Sequence, residues 1–419
     1  KSYFYLQINV RLGGFIFWIV IIGLEVYGWR VISSVHADQS GVFPAVLKVL
    51  YALGCVFSIF MMLGMYLDWE VGSDSLRRYL FSFFMIWILS LMLFSSLLII
   101  DDIRRLVVWL FGKADISIGR HDRSRFFYYA GSVLALFPLV LLTYGMLRNL
   151  YNFKKYRVNV PIAGLPSSME GLKIIQISDI HSGTFTRTEP IQEVVDRIND
   201  ENPDLILFTG DLVNEVAEEI EPYMDAFSGL RAKYGVFSVL GNHDYGDYHR
   251  DRAPDWDKAA NLDRLVQHQA SMGWKLLRDE NVPIMIGDST LSLIGMENAS
   301  SKSYFRNYGD ITRAYPGAES ADVKILMSHD PSYWREHVLD KFGDIALTLS
   351  GHTHGMQFGI EIPGFIKWSP VKMAYKEWAG LYAEKNQNLY VNRGLGCLGY
   401  PGRIGILAEI SVLTLTKST

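Results

Sequence analysis

Asp179 and His181 in Ser178-Asp179-Ile180-His181, Asp211 after Gly210, Asn242 ahead of His243 and Asp244, His329, and His352 with His354 in Gly351-His352-Thr353-His354-Gly355 are side chains that could hold metal ions. Oxygen and imidazole donors without a thiolate suit borderline first-row cations, Mn foremost and then Fe or Zn, better than a soft metal or an all-oxygen calcium site. A carboxylate can bridge two cations about 3.5–4 Å apart, and Asp211 is the candidate bridge. Two divalent ions held this way activate water, so the pattern predicts a hydrolase. Singly, each residue has a plainer explanation, since an Asp at a strand end commonly forms a turn or caps a helix. Only the joint pattern carries the reading.

Short apolar runs must position these groups. Residues 173–177, 204–209, 235–240, 324–327 and 345–349 each read as a buried strand, and every candidate ligand follows the carboxyl end of one. Open α/β sheets gather ligand chemistry beyond those ends, so residues distant in sequence can converge. Gly210, Gly241 and Gly351 permit tight turns beside the ligands.

The series D-x-H, GD, GNH[DE], a lone H and GHxH, complete and in order from Asp179 to His354, resembles the calcineurin-like metallophosphoesterase superfamily. The resemblance covers residues 171–419 and implies an αββα sandwich of mixed sheets flanked by helices. It implies that Asp179, His181 and His354 hold the first metal, that Asn242, His329 and His352 hold the second, and that Asp211 is shared. It further implies a catalytic role for His243, which would contact phosphate and protonate the leaving oxygen while water activated by the cations attacks from the opposite side. Asp244 would orient His243 or cap the following segment.

Residues 1–150 belong to a different solvent. The chain is 49% hydrophobic with 20% charged residues, and the apolar excess lies at the N-terminal end. The stretches 12–32, 45–67, 79–100 and 126–147 each approach or exceed the ~20 apolar residues that cross a bilayer. Four transmembrane helices are expected, flanked by interfacial aromatics such as Trp29, Trp69, Tyr79 and Phe126. The first is too long, and lacks the cleavage site, for a removable signal peptide. The segment 101–115, with Arg104 and Arg105 ahead of Leu106 to Phe111, reads either as a helix on the membrane surface or as an extension of the third span. Residues 151–170, holding Lys154, Lys155, Pro161 and Pro166, read as a linker to the catalytic domain. Loop charges are nearly balanced between the two topologies; the reading adopted puts the catalytic domain in the cytoplasm.

The stretch 245–274 reads as a charged loop, with Arg250, Asp251, Arg252 and Asp255, that continues as a helix over 258–271. The aromatic-rich stretch 358–382 reads either as a groove for an acyl or isoprenoid chain or as core that closes the fold. Arg393 and Arg403 are candidate phosphate contacts or structural ion pairs. The histidines outside the motifs, His36, His121, His249, His268 and His337, are expected to be solvated or interfacial.

The C-terminal tail resembles a membrane-associated bacterial branch of the superfamily, which implies an integral protein of the inner, cytoplasmic membrane. Where that branch commonly reads Gly-Gly-Gln, this chain reads Gly355-Met356-Gln357, and Met356 is expected to narrow the site mouth. An anchor concentrates the enzyme with membrane-embedded substrates, so the expected partners are membrane lipids and a lipid-phosphate or nucleotide-lipid substrate. Soluble nucleotides are an alternative substrate, and a non-catalytic membrane sensor an alternative role. A net charge of −4 with no basic stripe argues against nucleic acid.

Overall fold

A computed structural model of the chain describes residues 2–36, 41–67, 72–111, 123–249, 256–362 and 364–418. Trp69, His121, Arg250, Asp251, Arg252, Asp255 and the last residues of the 101–115 segment lie outside them. The chain divides into two units, Lys1–Tyr144 and Gly145–Thr419.

The first unit is built on helices α1 (Ser2–Val35), α2 (Val42–Tyr66), α3 (Asp74–Phe111) and α4, which starts at Arg125 and ends at Arg148. All four are long and apolar enough to cross a membrane. Apolar side chains lie on their outward faces, where Val56 is 64% and Val140 66% exposed, as lipid favours. Ile21, Met62, Phe84 and Ile88 pack between helices. Glu25 gathers two polar partners inside: Trp87 Nε1 donates to Glu25 Oε1 at 3.1 Å and Tyr51 Oη to the Glu25 carbonyl at 3.0 Å. His36, expected to be solvated or interfacial, is instead buried against Tyr128 Oη at 3.0 Å.

The surface-helix reading of 101–115 is corrected, because Asp101 to Phe111 continues α3 without a break. At 1.5 Å per residue this 38-residue helix is about 57 Å long, well beyond the ~30 Å hydrocarbon core. Its polar end is held by Arg104 and Arg105 pairing back to Asp101 and Asp102 at 2.8 and 2.9 Å. Those pairs neutralise the charge run that suggested a separate helix.

The second unit stacks two six-stranded sheets. One runs β1 (Phe153–Ile162), β14 (Ala408–Lys417), β2 (Lys173–Ile177), β3 (Leu205–Phe208), β4 (Val236–Ser238), β5 (Lys275–Leu276). The other runs β12 (Gly380–Glu384), β13 (Gln387–Val391), β9 (Leu347–Ser350), β8 (Val323–Met327), β7 (Ser289–Gly295), β6 (Glu280–Ile286). Period-two alternation decides the layers. Ile174, Leu205 and Leu207 face Leu293, Ile325 and Leu349 between the sheets. Their neighbours Ile175, Ile177, Ile206 and Phe208 face outward onto Ile191, Val194 and Ile198 of α5 (Glu189–Asn199). Trp334 and Val338 cover the far face of the second sheet. The predicted αββα sandwich is therefore present, with the helix predicted over 258–271 at those bounds. Each fully buried Ile or Leu contributes about 1.5–3 kcal/mol relative to exposure.

The linker reading of 151–170 is corrected. Phe153 to Ile162 forms β1, paired in parallel with β14 along its whole length. Its charged residues hid the strand: Lys155 and Arg157 point outward to Glu201 at 2.5 and 2.6 Å, while Val160 and Ile162 enter the intersheet core.

Candidate metal centre

The parallel strands β2, β3 and β4 of one sheet and β8 and β9 of the other end on one side of the stack, and their following turns meet. Backbone bonds fasten these turns together: Asp179 N donates to the Gly210 carbonyl at 2.8 Å, His181 N to Asp211 O at 3.1 Å and Gly351 N to His329 O at 2.9 Å. The turns are sharp. Asp179, His181, Asp211, His352 and His354 have φ between 43° and 70°, a left-handed conformation costly for any residue with a Cβ. Such strain persists where surrounding structure enforces it, typically at functional sites.

Asp179, His181, Asp211 and His354 form one group of converging donors, and Asp211, His329 and His352 a second, with Asp211 in both. In the first, His181 Nε2 lies 3.0 Å from His354 Nε2, and His354 Nε2 lies 3.1 Å from Asp179 Oδ1. In the second, Asp211 Oδ2 lies 3.1 Å from His329 Nε2, which lies 3.3 Å from His352 Nδ1. Asn242 Oδ1 joins this group at 2.8 Å from His352 Nδ1. Imidazole nitrogens and carboxylate oxygens, buried and aimed at each other across about 3 Å, form a donor set that fits two divalent ions sharing one carboxylate.

The electrostatics agree. Burial alone would raise the carboxyls of Asp179 and Asp211, yet the histidines beside them hold both well below the ordinary range. Burial would lower His329, but the Asp211 carboxylate outweighs it and raises the imidazole to about 10. His181 is pushed down by burial. Asp179 and Asp211 are thus held as carboxylates, the form in which each could ligate a cation.

Partners behind the donors fix their orientation. His329 Nδ1 donates to the Thr209 carbonyl at 2.7 Å, which leaves Nε2 for the centre. Asn242 Nδ2 donates to Tyr248 Oη at 3.0 Å, which turns Oδ1 inward. His352 Nε2 meets Tyr375 Oη at 2.9 Å, and Tyr375 Oη donates to Asp330 Oδ2 at 3.3 Å. In the sequence Tyr375 reads only as one aromatic of the 358–382 stretch and Asp330 is not singled out; a carboxylate directly after His329 is the one available signal for the latter. Groups behind a ligand typically contribute 10–100-fold in metal affinity, so Tyr375→Phe is expected to weaken metal binding by about that factor with folding retained. Competition with a fluorescent chelator measures it, and unchanged affinity would assign Tyr375 to packing alone.

His243 lies beside both groups. Its backbone N–H donates to Asp211 Oδ1 at 2.8 Å, its Nδ1 is taken by the Asn214 carbonyl at 2.7 Å, and its ring packs on Tyr248 with centroids 4.3 Å apart. Nε2 is thereby left to exchange a proton with a bound group. Asp244 does not orient the His243 ring. It accepts backbone N–H bonds from Asp211, Leu212, Val213 and Gly241 at 2.7–3.3 Å. Burial and the Asp211 charge push its carboxyl up, to about 7, against the pull of those amides.

The two arginines left open as phosphate contacts or structural ion pairs take a structural role. Arg393 is buried and paired with Glu409 and Glu361 at 2.5 Å, and buried Arg403 donates to the Gly394 carbonyl at 3.1 Å and the Gly396 carbonyl at 2.5 Å, so both are structural. Met356, expected to narrow the site mouth, is 59% exposed. A cleft of about 380 Å³ opens beside Asn242 and is lined by Asp247, Tyr248, Tyr304, Arg306 and Tyr308. Part of the stretch 358–382, read as a groove or as core, takes the core reading. Tyr375 and Trp378 enter a small core with Val371 and Ile406, while Phe365 and Met373 are 84% and 89% exposed.

Residues 172–356 match the family model described as calcineurin-like phosphoesterase, and residues 11–150 match that of a probable calcineurin-like phosphoesterase transmembrane domain. A transmembrane protein with metallophosphoesterase domain from Danio rerio is 28% identical over 295 residues, 68% of this chain and 63% of the relative. The match thus spans less than two thirds of that relative. An uncharacterized metallophosphoesterase of Bacillus subtilis, YkuE, is 31% identical over 266 residues, 61% of this chain and 82% of the relative.

Proposed function

The chain belongs to the calcineurin-like metallophosphoesterase family as a membrane-anchored member, and on that premise we propose that it hydrolyses a phosphomonoester or pyrophosphate on a lipid-linked substrate at a two-metal centre. The observation that carries the reading is the pair of donor groups joined through Asp211. Asp179, His181, Asp211 and His354 would hold one ion, and Asp211, Asn242, His329 and His352 the other. Manganese is the first choice from the donor chemistry. When bound, the ions supply an acidified water and neutralise charge on phosphoryl oxygens.

The chain's own residues do the rest. His243, its Nδ1 held by Asn214, presents Nε2 to the leaving oxygen and protonates it. Tyr248 positions both His243, by ring contact, and Asn242, by its hydroxyl. The cleft receives the polar part of the substrate: Arg306, 73% exposed at its side chain and 3.1 Å from Asp247, offers a guanidinium fork to a second phosphate or a head group.

The lipid-linked substrate rests on the four spans, which confine the enzyme to a bilayer. A bacterial inner membrane and a cytoplasmic catalytic unit complete the proposal. The tyrosines that line the cleft favour a second reading, in which they stack on the base of a soluble nucleotide. Purified full-length chain with Mn²⁺ is to be assayed against phospholipid, isoprenoid-phosphate, nucleotide-lipid and soluble nucleotide esters. Turnover of a lipid-linked ester supports the first reading. Turnover of soluble nucleotides alone replaces it with the second, and no turnover of any ester removes both.

A further inference from the structure

We propose that the hairpin of β10 (Ile360–Ile362) and β11 (Ile366–Trp368) is a membrane-docking element that seats the catalytic unit on the bilayer surface. The inference rests on the chain's membrane anchoring and is independent of which ester it hydrolyses.

The argument begins with register. Ile360 pairs with Trp368, Glu361 with Lys367 and Ile362 with Ile366. Directly opposed residues of an antiparallel ribbon share a face, and successive residues alternate. One face therefore carries Ile360, Ile362, Ile366 and Trp368, and the other the pair Glu361 and Lys367.

The orientation is the reverse of what a soluble protein adopts. The charged face turns inward: Glu361 accepts from Arg393 Nη2 at 2.5 Å and from Tyr156 Oη at 3.1 Å. Lys367 keeps its stem exposed but sends its ammonium to the Ala379 carbonyl, within 5.1 Å of the Trp378 ring centroid. The apolar face turns outward, with Ile360, Ile362, Ile366 and Trp368 between 38% and 51% exposed. Phe365, beside the turn glycine Gly364, is 84% exposed, and Met373 shortly after the hairpin is 89% exposed. One ion pair and these hydrogen bonds thus hold the ribbon so that its isoleucines face away from the core.

Water is a poor solvent for such a face, and a bilayer is within reach of any domain carried by four spans. The composition matches a lipid interface: aliphatic and aromatic side chains at the tip, a tryptophan at the strand end where headgroups lie, and Lys372 and Lys376 just beyond it, exposed and able to meet anionic lipid. The hairpin is also fastened to the last metal ligands. Ser369 Oγ donates to the Gly355 carbonyl at 2.8 Å, and Thr353 Oγ1 to the Trp378 carbonyl at 2.7 Å. Docking would hold the His352–His354 turn near the headgroups.

The test uses full-length protein in vesicles of phosphatidylcholine and phosphatidylglycerol. A nitroxide is attached at Phe365→Cys, at Ile362→Cys in case the first variant misfolds, and at Lys385→Cys as an exposed reference, with the signal of the labelled parent subtracted. Docking is expected to make dissolved oxygen relax the hairpin label more than a water-soluble nickel chelate does, at a depth of roughly 5–10 Å below the headgroups, with the order inverted at Lys385→Cys. A hairpin label as open to nickel as the reference would overturn the proposal. So would a label shielded from both reagents in vesicles and in detergent alike, which would assign the face to a protein partner or a second copy. Neither readout requires hydrolysis, so the docking proposal and the substrate proposal fail separately.

Discussion

Asp211→Asn is expected to remove at least about 10³-fold of kcat/KM, since a lost metal contact forfeits several kcal/mol of transition-state stabilisation and each 1.36 kcal/mol is tenfold. Asp211 Oδ2 faces both His329, at 3.1 Å, and His181, at 3.5 Å, and belongs to both donor groups. An amide removes the shared negative charge while nearly preserving shape, and its oxygen can still accept the His243 N–H that Oδ1 holds at 2.8 Å. The loss should therefore appear in metal stoichiometry and turnover together, with thermal stability little changed. Elemental analysis beside steady-state kinetics measures both. Wild-type metal content with wild-type turnover would refute the shared-carboxylate arrangement.

A second large effect is expected at a residue that contacts no substrate. Asp244→Ala leaves the N–H groups of Asp211, Leu212, Val213 and Gly241 without their carboxylate. A buried donor without a partner costs about 1–3 kcal/mol, and at least three here are bonded at 2.9 Å or shorter. The chain is expected to lose about 3–5 kcal/mol of stability and, because the Asp211 turn relaxes, to bind metal poorly. Asp244→Asn, which retains one acceptor oxygen, should fall between. Denaturant unfolding in detergent of both variants, with and without Mn²⁺, checks this; stability equal to wild type would mean that water replaces the carboxylate without cost.

The donor positions were legible in the sequence because their types are unusual in combination and each follows an apolar run of strand length. Asp179 follows Ile174–Ile177 and His329 follows Ile325–Met327, and the folded chain does gather them. The four spans were legible because length and apolarity suffice to name a helix in lipid. β1 was not, because an edge strand that faces water on one side and pairs with Glu201 through Lys155 and Arg157 reads locally as a charged linker. Arg393 was ambiguous for a similar reason: only its place between Glu361 and Glu409 excludes a free guanidinium.

Residue types and their intervals alone settled that oxygen and imidazole donors follow strand ends and that the N-terminal region suits hydrocarbon, since both depend on composition and local periodicity. Tertiary structure alone decided that Asp244 holds the Asp211 turn, that Tyr375 and Asp330 stand behind His352, and that the isoleucines of the 360–368 hairpin face outward. Those outcomes depend on which distant group satisfies each buried polar atom, and a linear pattern does not encode that pairing.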